Sequence, residues 1–307
     1  QRLLNHYIII HIFDVSFSDT FYPIFLFFLF SYLFIMVSNL GIAALVFIDR
    51  NLHQPMYLLF CNLPFNDILG NSIMVPRLLM DMLLPPSERL ISYYECVIQM
   101  FVFIMLSVTG RATLTVMAYD RYVAICSPLY YSSIMTLPVR LLLVVGAWTF
   151  GTACTLPAIS MASRRYYCGA NVVKHGWCDP TSVRRLVCGD TLTDSIVSLT
   201  FGVVAMLTTG VLILTSYILI GLSIFRMGIG ERLKAFKTCA AHLTVVTISY
   251  SAAVRIIVSV LYSALTPFLN PLIYSLRNSE LRESIRRTLR KLGPTNVLPM
   301  KGVNTVS

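Results

Sequence analysis

Several polar residues stand out because of where they fall. Asn39, Asp67, Asn71, Arg111, Asn270 and the adjacent pair Asp120–Arg121 sit in otherwise apolar stretches. At membrane depth such a group costs about 2–3 kcal/mol or more unless it faces a bundle interior or meets a partner. Asp67 with Asn39 and Asn270 places one carboxylate among amides. That set suits a small hydrated cation, or a proton that moves with a conformational change. For a single Asn, an interhelical hydrogen bond is the plainer reading. Arg111 needs a carboxylate, a carbonyl or water, and Asp67 is a candidate partner. Catalysis finds no support: there is no HExxH, Asp67 has no second carboxylate deep in the same stretch, and His242 lacks a positioned nucleophile. No cofactor is called for. A retinal Schiff base would need a lysine in 256–276, which has none, and no metal site is expected, because Cys168, His175, Cys178 and Cys188 lack a compact CxxC pair.

The elements that hold these residues are apolar helices. Of 307 residues, 56% are hydrophobic and 12% charged, with a mean hydropathy of +0.74. A soluble domain carries about 25% charged residues, so too little polar surface exists here to cover a water-facing globule. Stretches of about 20 mostly apolar residues occur at Phe21–Ile48, Pro55–Leu84, Ile98–Cys126, Val139–Met161, Ser195–Ile224, Phe236–Val254 and Ile256–Leu276. Ser279–Lys291 follows as an amphipathic, basic segment that reads as a helix on the membrane surface. The fold class is an all-α membrane protein, a seven-helix bundle with a short amphipathic helix after the last span. The net charge of +10 lies between apolar runs, as topology-setting charge does, so nucleic acid is not an expected partner.

Arg50, Arg121, Arg140, Arg226, Arg232, Lys234, Lys237 and the basic tail fall on one side of the spans. That side should be cytoplasmic, with the N-terminus outside and the C-terminus inside. Cys96, Cys168, Cys178 and Cys188 then face the oxidising exterior, and four cysteines permit three pairings that sequence does not choose between. Pro64, Pro76, Pro157, Pro267 and Pro271 permit helix kinks, as suits a protein with two packings. Transporters tend to show paired broken helices in repeated halves, and no such repeat is visible.

Five ordered motifs then carry a resemblance. MAYDRYVAIC (Met117–Cys126), LHQPMY (Leu52–Tyr57), SY (Ser216–Tyr217), KAFKTCAAH (Lys234–His242) and PFLNPLIYSLRN (Pro267–Asn278) resemble those of vertebrate olfactory receptors, within the rhodopsin-like G-protein-coupled receptors. The likeness spans roughly Phe21–Lys291. It implies a plasma-membrane receptor that binds small odorants and activates a heterotrimeric G protein of the stimulatory, cAMP-raising type. The partners would be odorant, G protein and membrane lipids. It further implies that Asp120, Arg121 and Tyr122, with Tyr217 and Tyr274, form the coupling switch, and that Asn39, Asp67, Asn270 and Pro271 form a polar core linking helices. Cys96 would pair with Cys178, and Cys168 with Cys188. The odorant site is expected between the outer halves of helices 3, 5, 6 and 7. Its lining would be Met100, Phe103, Ile104, Ser107, Val108, Phe201, Ala205, Tyr250, Val260 and Ser263.

Three regions follow: an outer segment 1–20, expected to be incomplete because the chain starts at Gln1; a receptor domain 21–278; and a cytoplasmic helix and tail 279–307. One stretch departs from the pattern. Phe236–Leu276 is 41 residues long, and two spans of about 20 leave nothing for a turn. The outer end of helix 6 and the third outer loop are therefore expected to be truncated near 253–256. The competing reading is a non-signalling product of a damaged receptor gene, with a transporter as a distant third.

Overall fold

Long apolar stretches interrupted by few glycines and prolines satisfy their backbone groups internally as helices, the economical solution in a medium without water. The computed structural model describes residues 7–10, 21–49, 55–165, 167, 172–173, 176–184, 186–189, 191–226, 228–251, 283–284 and 286–287. Six long helices occupy most of them: α1 (Phe21–Ile48), α2 (Pro55–Leu83), α3 (Tyr93–Cys126), α4 (Leu137–Ser163), α5 (Leu192–Phe225) and α6 (Ile229–Ser251). The expected span Ile256–Leu276 and the truncation near 253–256 lie outside the described residues. So do Val260, Ser263, Asn270, Pro271 and Tyr274.

The helix ends differ from the apolar limits for local reasons. α3 starts at Tyr93, five residues before the expected Ile98, because Ser92 and Glu95 form a reciprocal capping box. α6 starts at Ile229 rather than Phe236, adding about two turns that carry Glu231, Arg232 and Lys234 and that apolar periodicity does not reveal. Its 23 residues reach about 34 Å at 1.5 Å per residue, although only the Cys239–Tyr250 part is apolar on average.

Four of the helices are long and apolar enough to cross a membrane among the described residues: Phe21–Ile48, Tyr93–Cys126, Leu137–Ser163 and the Thr193–Phe225 part of α5. In α2, Asn62, Asn66, Asp67, Asn71, Arg77 and Asp81 dilute the apolar character of a 29-residue helix. Outward faces are apolar as well. Phe30, Val37 and Phe47 on α1, Leu142 on α4, and Leu207 and Leu214 on α5 are all exposed, a surface that belongs against lipid rather than water.

α3 is the central helix. Two apolar clusters stack along it. One holds Phe21, Leu78, Met82, Cys96, Met100, Ile159, Cys178 and Val183. The other holds Ile42, Val46, Tyr57, Phe60, Leu63, Leu114, Met117, Val123, Ile213 and Val245. Successive helices α1 to α4 enter the clusters in opposite order, so they run up and down. Between the clusters lies a polar layer in which Asn39, Asp67, Asn71, Thr109 and Thr113 are buried. The tightest approach joins α3 to α4 at Gly151. A Cβ there would overlap Thr109 Oγ1 and lie 3.0 Å from the Met105 carbonyl, so only glycine allows this crossing. Trp148 of α4 also donates to Asn62 Oδ1 of α2 at 2.9 Å.

A small sheet at the end of the bundle that carries Cys96 is an addition to the all-α expectation. Strand β1 (Tyr7–Ile10) pairs antiparallel with β2 (Leu90–Ser92) and parallel with β3 (Val172–Val173). The run Tyr-Ile-Ile-Ile is rich in β-branched residues that favour this pairing, and it ties the N-terminal segment to two loops. At the opposite end Ser284 donates to the Asp49 carboxylate beyond α1. Residues 283–284 and 286–287 are helical, within the expected Ser279–Lys291.

Candidate functional site

At the sheet end, Cys96 at the start of α3 is bonded to Cys178, with Cα atoms 5.4 Å apart. Gln99, one turn on, is buried and accepts from the Cys178 N–H at 3.0 Å. The loop is therefore fixed to α3 covalently and by hydrogen bond. Asp179 accepts from the Ser182 N–H at 3.1 Å, seating the helical turn Pro180–Arg184. Cys188 is also disulfide-bonded, while Cys168, its expected partner, lies outside the described residues. Arg165 and Asp194 close the loop with a two-point ion pair: Nε to Oδ2 at 2.9 Å and Nη2 to Oδ1 at 2.7 Å. Tyr167 donates to the Ala162 carbonyl at 2.7 Å. Burial, followed by the influence of Tyr93, raises its phenol above the ordinary tyrosine range.

Under this lid lies a cavity of about 100 Å³. α3 contributes Met100, Ile104 and Val108, α4 contributes Thr155 and Ala158, and α5 contributes Ser198 and Phe201, with Arg184 and Asp194 at the loop side. Of the expected lining, Met100, Ile104, Val108 and Phe201 meet here. Phe103 turns instead toward Trp177, with ring centroids 6.1 Å apart. Ser107 accepts from Arg111 Nη1 at 3.2 Å, Ala205 is fully buried, and Tyr250 donates to Thr209 Oγ1 of α5 at 2.6 Å. Among the described residues the cavity also takes in α4 and the loop, which the expected lining does not include.

Deeper in the bundle, Asn39 and Asn71 donate to carbonyls on their own helices, Ile35 at 2.9 Å and Asp67 at 2.8 Å. Arg111 likewise turns back one turn to Ser107 rather than reaching Asp67. At the far end of α3 the polar groups join different helices. His242 of α6 is buried, with Nε2 3.1 Å from the Leu114 carbonyl of α3 and Nδ1 2.7 Å from Tyr217 Oη of α5. A carbonyl only accepts, so Nε2 carries the proton and Tyr217 donates to Nδ1. Asp120 is buried and accepts from Tyr131 Oη at 2.8 Å, while Arg121 Nε lies 3.8 Å from its other oxygen. Tyr131 sits between α3 and α4. Burial, then the Asp120 charge and hydrogen bond, push its phenol up to about 12. Tyr122 packs against the neighbouring apolar cluster.

A family model described as "Olfactory receptor" matches residues 28–291. The chain belongs to the olfactory receptor family. Human olfactory receptor 9Q1 is 36% identical over 283 residues, covering 88% of this chain and 91% of the relative. Human olfactory receptor 6N1 is 38% identical over 286 residues, covering 88% and 91%, and mouse olfactory receptor 5G26 is 37% identical over 284, covering 87% and 88%. Squid rhodopsin shares the fold, with a TM-score of 0.65 at 16% identity over 91% of this chain and 88% of that one. The receptor is thus a multi-pass plasma-membrane protein of the G-protein-coupled class, which signals rather than catalyses.

Several site residues of the receptor escaped sequence reasoning. Arg184, Asp194 and Ser198 lie on a loop and a helix start, where no periodicity marks a lining position. Tyr131 carries no motif. His242 closes the KAFKTCAAH motif, but its two partners are 25 and 128 residues away in sequence, a distance no local signal spans.

Proposed function

We propose that the receptor takes a small odorant into the cavity between α3, α4, α5 and the loop, and transmits its presence through α3 and α5. One observation carries this reading: the two helices that wall the cavity with Met100, Ile104, Val108 and Phe201 also hold Leu114 and Tyr217, the partners of His242. A small shift of either helix stretches hydrogen bonds with little tolerance in length, so the contacts among α3, α5 and α6 form a two-state element. On release, Tyr217 and Arg121 become free to face a G protein, with Asp120, Tyr122 and Tyr274 completing the switch. Asn39 and Asp67, with Asn270 and Pro271, form the polar layer through which the helices move together. The G protein is of the stimulatory olfactory type. The N-terminus and bridged loop face outside, the basic tail faces the cytoplasm, and the exposed apolar faces of α1, α4 and α5 contact lipid.

The test uses cells expressing the full-length receptor with a stimulatory olfactory G protein, with cAMP read across an odorant panel. Ala158→Phe fills the cavity from α4. The expected result is an odorant-dependent cAMP rise that Ala158→Phe abolishes at matched surface expression. An unchanged concentration dependence in that variant would overturn the reading.

A further inference from the structure

Two charged groups border the cavity, and their situations differ. Asp194, with a side chain 6% exposed, is neutralised by the two hydrogen bonds from Arg165. Arg184 has no such counter-charge among the described residues. Its Nη1 donates to Ser195 Oγ at 3.1 Å and its Nη2 to Ser198 Oγ at 2.8 Å. Both acceptors are neutral, and Ser195 is held in place by donating in turn to the Thr191 carbonyl at 2.9 Å. A guanidinium has five N–H donors in a planar fork. The two serines take two of them, leaving three without an acceptor among the described residues. The serines fix the plane of the fork, and the half-buried side chain already stands at the cavity wall. Most of the remaining wall is apolar, with Met100, Ile104, Val108 and Phe201 giving a hydrocarbon nothing to hydrogen-bond.

We infer that the odorant held here is a small carboxylic acid, bound as its carboxylate with the head on Arg184 and the hydrocarbon tail against α3 and α5. The inference rests on the cavity being the odorant site. A carboxylate accepts two parallel bonds from the fork and supplies a counter-charge that the described residues do not. An alcohol of the same length offers one neutral acceptor, and an amine brings a second positive charge. The charged contact makes the acid bind about tenfold more tightly than the alcohol.

The test measures binding to the purified full-length receptor by thermal shift, using hexanoic acid, 1-hexanol and hexylamine. The inference predicts that hexanoate stabilises the receptor at about tenfold lower concentration than hexanol, with hexylamine weakest. Arg184→Gln should bring hexanoate to the hexanol level, and Arg184→Lys should keep part of the preference. Equal binding of acid and alcohol to the unaltered receptor overturns the inference whatever the variants do, as does the absence of binding by all three. An acid preference that survives Arg184→Gln also overturns it. Ala158→Phe separates the two readings. If it leaves hexanoate binding intact, the cavity is not the site and both fall. If it abolishes binding of every probe that bound while acid and alcohol had been equal, only the acid inference falls.

Discussion

The two ends of the bundle are held by different kinds of bond. At the Cys96 end a disulfide, a capping box, a three-stranded sheet and a two-point ion pair between Arg165 and Asp194 fix the loop over α3. At the Asp120 end the contacts are single hydrogen bonds that side chains make to other helices, and the Arg121–Asp120 pair is loose at 3.8 Å. Covalent and multiply bonded contacts keep a recognition site in shape. Single hydrogen bonds, each with a net worth of about 1 kcal/mol, exchange partners easily. The fixed end suits recognition and the exchangeable end suits switching, and α3 belongs to both.

The contrast is broken most severely at the bridge. Cys96→Ser opens a closure between residues 82 apart in sequence. Loss of such a bridge costs about 2–5 kcal/mol, so surface expression should fall close to background by flow cytometry of an epitope-tagged receptor. Normal expression with normal signalling would remove the rigid-end argument.

Next in size is the α3–α4 crossing between the ends. Gly151→Leu must push α4 away from Thr109 and the Met105 carbonyl, an overpacking cost of about 1–3 kcal/mol. The melting temperature of the purified receptor should drop by several degrees, and adding Thr109→Ala should restore only part of it, because the Met105 carbonyl stays in place.

The exchangeable end should respond with signalling rather than loss of fold. His242→Phe leaves Tyr217 and the Leu114 carbonyl without their shared partner. If that removes about 1 kcal/mol from the resting state, basal cAMP rises about fivefold. Unchanged basal cAMP at matched expression would mean that the three-helix contact does not hold the resting packing.

The smallest effect belongs to Tyr131. Tyr131→Phe removes one hydrogen bond to Asp120 and should raise basal cAMP about twofold. The phenol also sharpens the comparison through pH. Its folded value of about 12 lies above the ordinary value near 10, so its contribution to stability is complete below about pH 10 and is lost as pH rises through about 12. Thermal melts of the purified receptor between those values should fall less steeply for Tyr131→Phe than for the unaltered chain.

What reads directly from the sequence is whatever depends on local pattern. Twenty-residue apolar runs predict α1 to within its described ends, because helix formation in lipid requires only that a segment satisfy its own backbone. Met117–Cys126 and Lys234–His242 mark the family because they are contiguous. The limits of α3 and α6 shift by several residues because the capping box at Ser92 and the polar start of α6 lie outside the apolar runs that hydropathy detects.

Only the tertiary structure decides which residues meet. The Cys96–Cys178 bond was anticipated from resemblance alone, and the cavity falls against α4 because Gly151 lets that helix approach α3. Arg184 stands over it because Asp179 seats a short helical turn, while Asp194 is neutralised by a residue 29 positions away. Asn39, Asn71 and Arg111 look like a network in the sequence, yet each has a hydrogen bond to its own helix. His242, which looks isolated, joins three helices. Membrane insertion and helix formation are local properties of composition, whereas partner choice among buried polar groups depends on the angles at which helices cross. Those angles follow from the packing of the whole bundle.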